Sequence, residues 1–367
     1  MLGRTLAGDE IYCYGKSIVV KFAGKRHVIS TGPINGGYHE DLTSVFNHDL
    51  NPPAGLPKVL RAPTYEEHMI LVAKDLGLEP KRTTGLGTSV PMENASIKRN
   101  EDNGLEVTAI ATAGVEINAG RAGDPAAYDE RYLKNEEQSG TINLILLLNI
   151  NLTPGALART LITITEAKTA ALQELMIDSR YSHGLATGTG TDGIIAVCNA
   201  ESQTVLTNAG KHTKLGELIG RTVKDAVKEA LFKQTGLCAA SQYSMLRRWR
   251  RYGLTTENLW QHYCLVKHTK KLDRHTFLKR VSALDQNDAL VVYSSLYLHL
   301  LDQYAWGLIH LPAAKEAAET ILTKLQQNFA LNCQWPQQVN TKNFLSWAVS
   351  SFTDLVCHLL HNFERCG

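Results

Sequence analysis

Opposite charges nearly cancel in this chain of 367 residues, leaving a formal net charge of +2 at neutral pH. So even a balance carries no message of attraction to nucleic acid or to an anionic membrane surface, and neither is expected as a partner. No apolar run reaches the ~18 residues that a spanning helix requires. The longest, Ile142 to Ile150, is interrupted by Asn143 and Asn149. The opening MLGRTLAGDEIYCY lacks the apolar stretch of a signal peptide, so a secreted product is not expected. The cysteines number seven, an odd count, and are scattered with no C-x-x-C. That pattern argues against a disulfide framework and for reduced thiols in a cytoplasmic protein. Neither a G-x-S-x-G elbow nor an H-E-x-x-H pair occurs, which removes two common hydrolase signatures.

Tryptophan is missing from the first 244 residues; all five (249, 260, 306, 335 and 347) come later. From Met245 onward there are 14 Lys and Arg against 9 Asp and Glu, whereas the first 244 residues hold 24 against 27. Glycine is dense before that point and rare after it. Two domains are expected, over residues 1–240 and 245–367, joined near Gly236 to Tyr243. In the tail, Asp288 to Leu311 and Thr341 to Phe363 read as helices, so the second domain is expected to be all-α. Its Arg247-Arg248-Trp249-Arg250-Arg251 cluster reads as a solvated helix face, not a nucleic-acid site. Cys357, His358, His361 and Cys366 are close in sequence but fit no standard zinc spacing.

Glycine is what the first domain has in plenty. Gly188, Gly190 and Gly193 spell G-x-G-x-x-G, the spacing that cradles a dinucleotide pyrophosphate. That fingerprint needs a strand before the glycines and a helix after them. Here a long helical pattern precedes, opened by Thr153 and Pro154, and the strand-like Ile194-Ile195-Ala196-Val197 follows. The glycines therefore read as a turn with φ > 0 positions. A repeat supports this. Tyr65 to Leu76 is helical by period, followed by Thr84-Gly85-Leu86-Gly87-Thr88, two apolar runs about a polar turn, and Ala113-Gly114. The second pass has a helix, Thr187-Gly188-Thr189-Gly190-Thr191, a strand to Cys198, a polar turn and Ala209-Gly210. The expected fold is α+β: an internally repeated helix and antiparallel-sheet layered domain, followed by the helical tail. Thr141 to Ile150 reads as a central buried strand. Ile18 to Phe22 and His27 to Thr31 read as a leading hairpin around Ala23-Gly24-Lys25. Gly210-Lys211-His212-Thr213 is no P-loop, because position 205 is Val where Gly is needed.

Polar residues crowd the ends of these segments. Asn35 lies in TGPINGGYHED; Glu116, Asn118, Arg121 and Asp124 in GVEINAGRAGDP; Glu166 and Lys168 on the long helix; Asp192 after the glycine turn; Lys211 and His212 beyond it. Structural roles compete at each. Arg121 and Asp124 can form a surface ion pair, Glu166 can face solvent, His212 can sit in a solvated basic turn, and Asp192 can close an Asx-turn. Cys198, inside an apolar strand, reads as an inert core thiol.

The runs GTINLILLLNINLTPGALARTLITITEAKTAALQEL, SRYSHGLATGTGTDGIIAV and LTNAGKHTKLGELIGRTVKDAVKEAL, with ATAGVEINAGRAGDP and STGPINGG upstream, resemble the adenosylcobinamide amidohydrolase family of cobamide salvage. The resemblance spans about residues 10–235 and does not reach the tail. It implies hydrolysis of the amide between the aminopropanol linker and the corrin ring of adenosylcobinamide, giving adenosylcobyric acid and 1-amino-2-propanol. The cobalt would travel with the substrate, and no further cofactor or metal is expected. It supplies no nucleophile, so roles are assigned on chemistry. Water activated by Glu166 or Asp192 is expected, with Lys168 tuning Glu166 and His212 protonating the amine. N–H groups of the Gly188–Gly190 turn would hold the oxyanion. Asn35, Asn118, Arg121 and Asp124 would contact the corrinoid, and Thr191 is the alternative nucleophile. A corrinoid-binding protein without hydrolysis is the rival reading; an acyl- or nucleotide-handling enzyme is a third. The tail is expected to mediate self-association, a partner contact or a lid.

Overall fold

The computed structural model describes residues 1–52, 59–126, 129, 131, 140–265, 271–335 and 339–363. Two compact units divide between Cys238 and Ala239. In the first unit, one sheet has the order β1 (Gly3–Arg4), β2 (Glu10–Tyr14), β3 (Ser17–Lys21), β6 (Ser44–Asp49), β7 (Thr83–Thr88). The other has the order β5 (Gly37–His39), β4 (Arg26–Ser30), β14 (Gly193–Asn199), β11 (Ile142–Leu148), β9 (Leu105–Ala113), β8 (Ser96–Asp102). Two short ribbons pair β10 (Ala119–Gly120) with β13 (Gly188–Thr189), and β12 (Asn151–Leu152) with β15 (Val205–Leu206). The helices are α1 (Tyr65–Asp75), α2 (Pro154–Glu174) and α3 (Lys214–Thr235).

Side-chain alternation turns these elements into four layers. On β11, Ile142, Leu144, Leu146 and Leu148 join a core with α2 and α3, while Ile145 and Leu147 face the other way. Those two meet Ile18 and Val20 of β3 and Val45 of β6, so the sheets pack face to face. On the outer face of the first sheet, Val19 and Phe46 pack under Met69 and Val72 of α1. Each such buried side chain contributes about 1.5–3 kcal/mol over leaving it exposed. The Asn143 that interrupts the apolar run also points between the sheets, donating to Asn47 Oδ1 at 2.8 Å and to the Gly87 carbonyl at 2.9 Å.

Helix ends follow local chemistry. Thr64 and Glu67 form a capping box on α1. Pro154 starts α2, where its missing N–H is harmless, although the Thr153 side chain makes no capping bond. Gly236, at φ +71°, ends α3.

The mostly antiparallel α+β arrangement is present, with Thr141 to Ile150 supplying the inner strand β11. The repeat has a different phase from the sequence pattern. Each half is a hairpin, a third antiparallel strand, a helix, and a fourth strand parallel to the third: β2–β3–β6–α1–β7, then β8–β9–β11–α2–β14. The leading hairpin is a correction. β3 pairs with β2 and β6, whereas β4 pairs with β5 and β14, so the chain at 22–25 crosses from one sheet to the other. Short apolar strands beside a turn look alike whether they pair with each other or not.

The second unit contains α4 (Met245–Trp249), α5 (Thr256–Leu265), α6 (Arg274–Asp285), α7 (Asp288–Ala305), α8 (Leu311–Asn328) and α9 (Phe344–His361). Trp249 is fully buried; it stacks on Phe352 at 4.2 Å and donates its indole N–H to Ser294 at 3.0 Å. The arginine cluster is not one solvated face. Arg251 is buried and paired through both guanidinium nitrogens with Asp302, at 2.5 and 2.6 Å. In the Cys357, His358, His361, Cys366 group, Cys366 lies outside the described residues, and burial pushes the Cys357 thiol up to about 12. Among the described residues no helix is long and apolar enough to cross a membrane.

Candidate active site

A cavity of about 620 Å³ opens in the first unit where the parallel strands β11 and β14 begin. Its wall combines the β10–β13 ribbon, the side of α2 that carries Thr165, Lys168 and Thr169, and the loop Arg121 to Ala126. The ribbon matters because Ala119 pairs with Thr189 and Gly120 with Gly188, which sets the glycine-threonine segment against the end of the 114–120 loop.

Asp192 is the hub. Its Oδ1 accepts the Ile142 N–H at 3.0 Å and the Thr189 hydroxyl at 2.5 Å. Its Oδ2 accepts the Thr189 N–H at 3.0 Å and the ammonium of Lys168. The carboxylate thus ties the starts of two parallel strands to α2. Lys168 and Asp192 have side-chain exposures of only 8% and 11%, so this is an ion pair largely removed from water. A buried pair adds little net stability over apolar packing. In a cavity wall it fits chemistry better.

The glycines are explained by space rather than by backbone sign. None of Gly188, Gly190 and Gly193 has positive φ, contrary to the expected φ > 0 turn. A Cβ on Gly188 would sit 2.6 Å from Lys168 Nζ and closer still to Asp192 Oδ2. One on Gly190 would sit 3.3 Å from Asn118 Oδ1, and one on Gly193 2.7 Å from Leu86 and 2.8 Å from Asn143. The G-x-G-x-x-G match therefore marks the ion pair, the cavity wall and the sheet-to-sheet contact, with a strand following.

At the rim, the Arg121 N–H and the Ser179 hydroxyl donate to Asp124 Oδ2 at 2.8 and 2.5 Å. Burial pushes the Asp124 carboxyl up, but hydrogen bonds from Ser179, Ser182 and the Arg121 backbone outweigh it and hold the group below the usual carboxylate range. Asn118 is buried, donates to the Gly140 carbonyl at 3.2 Å, and accepts the Tyr181 hydroxyl at 3.1 Å.

Of the residues expected at the site, Asn118, Arg121, Asp124, Lys168, Gly188, Gly190 and Thr191 line the cavity, and Asp192 stands behind its wall. Three others do not line it either. Glu166 projects from another side of α2 and pairs with Lys211 at 2.8 Å, both exposed. Lys168, expected to tune Glu166, pairs with Asp192 instead. Two positions apart on a helix, Glu166 and Lys168 cannot face the same way. His212 is exposed in the turn before α3. Asn35, at φ +45°, braces the first sheet by donating to the Pro80 and Thr83 carbonyls at 2.7 Å each. Nor can the Thr189 N–H hold an oxyanion while Asp192 occupies it. Sequence reasoning missed Thr189 and Tyr181. Thr189 had a signal, a Thr-x-x-Asp spacing whose acid can reach back to the hydroxyl and N–H three residues earlier. Tyr181 had none, since its hydroxyl finds Asn118 only through tertiary folding.

Residues 3–239 match the family model described as adenosylcobinamide amidohydrolase. An uncharacterised protein of Methanocaldococcus jannaschii is 39% identical over 231 residues, covering 60% of this chain and 87% of that protein. An adenosylcobinamide amidohydrolase of Methanosarcina mazei is 28% identical over 224 residues, covering 59% of this chain and 94% of that protein. A crystal structure of a Pyrococcus horikoshii protein aligns over 68% of this chain and 92% of that one, at 13% identity and a TM-score of 0.30.

Proposed function

We propose, since this chain belongs to the adenosylcobinamide amidohydrolase family, that its first unit hydrolyses the amide joining the aminopropanol arm to the corrin ring of adenosylcobinamide. The products are adenosylcobyric acid and 1-amino-2-propanol. The observation that carries this reading is the buried Lys168–Asp192 pair in the wall of a cavity inside the matched region. Amide cleavage needs a nucleophile, stabilisation of a developing oxyanion and a proton for the leaving amine. Lys168 brings a positive charge to a wall poor in water, where its field is screened least. Asp192 is the group able to take and return a proton. Asn118, Arg121 and Asp124 present donors and acceptors suited to the amide arms around a corrin ring.

Adenosylcobyric acid formed here can re-enter cobamide synthesis and acquire a different lower ligand, so the role we assign is corrinoid salvage in the cytoplasm. The six described cysteines are free, in keeping with that compartment. The test is incubation of the purified protein with adenosylcobinamide, followed by mass spectrometry of the corrinoid and assay of free aminopropanol. Conversion to adenosylcobyric acid with release of amine is expected. A corrinoid bound but unchanged in mass overturns hydrolysis and leaves the non-hydrolytic binding protein.

A further inference from the structure

Resting on that reading, we propose that Thr189 is the nucleophile and that hydrolysis passes through an acyl-enzyme on its Oγ1. The cavity wall contains five threonines, one tyrosine and no serine, cysteine or histidine among the described residues. Four of the threonines have no proton acceptor of useful basicity. The Thr165 hydroxyl donates to the Leu161 carbonyl at 2.8 Å, within its own helix. Thr169 donates to the Thr187 carbonyl at 3.1 Å. Thr187 accepts the Ala122 N–H at 2.9 Å. Thr191 donates to the Gly140 carbonyl at 3.1 Å and meets the Thr141 hydroxyl at 2.6 Å. Tyr181 donates to the amide oxygen of Asn118. Only Thr189 donates to a carboxylate, at 2.5 Å. A hydroxyl becomes a useful nucleophile when a neighbouring base takes its proton as the new bond forms.

The orientation is held on both sides. Lys168 and the Thr189 N–H occupy Asp192 Oδ2, and the Ile142 N–H shares Oδ1, so the carboxylate cannot rotate away from the hydroxyl. Gly188 leaves the space in which Lys168 and Asp192 meet. In the first half-reaction, Thr189 Oγ1 bonds to the amide carbonyl carbon while its proton passes to Asp192. The carbon–nitrogen bond then breaks, and that proton leaves on the nitrogen of 1-amino-2-propanol. In the second, water adds to the acyl carbon and the carbon–Oγ1 bond breaks. A water proton restores the Thr189 hydroxyl, and adenosylcobyric acid departs. The sum is amide plus water to acid plus amine.

The test uses the full chain and adenosylcobinamide with hydroxylamine present. The wild-type protein is expected to release aminopropanol and divide the corrinoid between adenosylcobyric acid and its hydroxamate, because a second nucleophile can intercept an acyl-enzyme. Thr189→Ala is expected to lose turnover by about 10³-fold or more while still binding the corrinoid. Thr189→Ser is expected to recover much of it, and a corrinoid adduct trapped on the wild-type protein is expected to map by mass to Thr189 and not to Thr191. Wild-type hydrolysis that yields acid alone, or Thr189→Ala within tenfold of wild type, overturns Thr189 and leaves the proposed activity standing with water as nucleophile. If Thr189→Ala does not fold, the position of the trapped wild-type adduct decides: on Thr189 it supports the proposal, and on Thr191 it overturns it. If the wild-type protein leaves adenosylcobinamide intact, the activity and the nucleophile fall together.

Discussion

Thr84-Gly85-Leu86-Gly87-Thr88 and Thr187-Gly188-Thr189-Gly190-Thr191 share a pattern and differ in almost everything it does. The first lies wholly within β7, paired in parallel with β6. Its Gly85 makes room for the Phe46 ring and its Gly87 for Tyr65 and Leu50, while the Thr84 hydroxyl is used on Ser30 at 2.8 Å between the sheets. The second has only two residues in a short ribbon, and its other side is open to the cavity. Its Gly188 makes room for an ion pair, and its Thr189 hydroxyl meets a carboxylate. In both copies glycine answers a close approach. What approaches decides whether the segment is core or active site.

Exchanging the smallest group in each copy should separate these roles. Gly188→Ala places a methyl between Lys168 and Asp192, and turnover of adenosylcobinamide should fall by about 10²-fold, as for a misplacement of reacting groups by an ångström. The unfolding midpoint should move less than activity does; parallel loss of both would assign Gly188 a packing role like that of Gly85. Gly85→Ala should show the reverse. Overpacking against Phe46 should cost about 1–3 kcal/mol in a denaturant titration. Turnover per folded molecule should stay at the wild-type value, and a selective loss of kcat would erase the contrast.

The neighbourhood of the first copy should also respond to pH. His48, on β6 opposite Gly87, is held near 4, below its ordinary 6.5, chiefly by burial and also by the Lys16 charge. It is neutral in the folded protein at a pH where the unfolded chain has begun to bind a proton. Its contribution is therefore complete above about 6.5 and declines as pH falls toward 4. Replacing His48 with Gln, which can still hydrogen-bond Ser17, should flatten the stability profile in that window. An unchanged slope would place the acid sensitivity elsewhere. The smallest effect is expected just outside the second copy. Glu166→Gln breaks only the exposed pair with Lys211, so it should change stability by no more than about 1 kcal/mol and leave turnover unaltered. A large fall in kcat would return Glu166 to the chemistry.

Periodicity, composition and local capping by themselves determined much of this molecule. The inner strand over 142–148, the helices opened at Pro154 and ended at Gly236, the helical tail and the change of character near Cys238 all follow from residues near one another in sequence. So does the order of helix, glycines and strand, which departs from the dinucleotide-binding fingerprint and is a local fact. Tertiary structure alone decided which strands pair. β3 and β4 are neighbours in sequence and belong to different sheets, since pairing depends on partners far along the chain. It also decided the site. Asp192 and Lys168 are 24 residues apart, and Thr191 and Thr141 are 50 apart; the parallel docking of β14 beside β11 brings each pair together. Glu166 was as good an acid in the sequence as Asp192. The turn of the helix faces it toward solvent, and the turn that leads into β14 holds Asp192 against a hydroxyl.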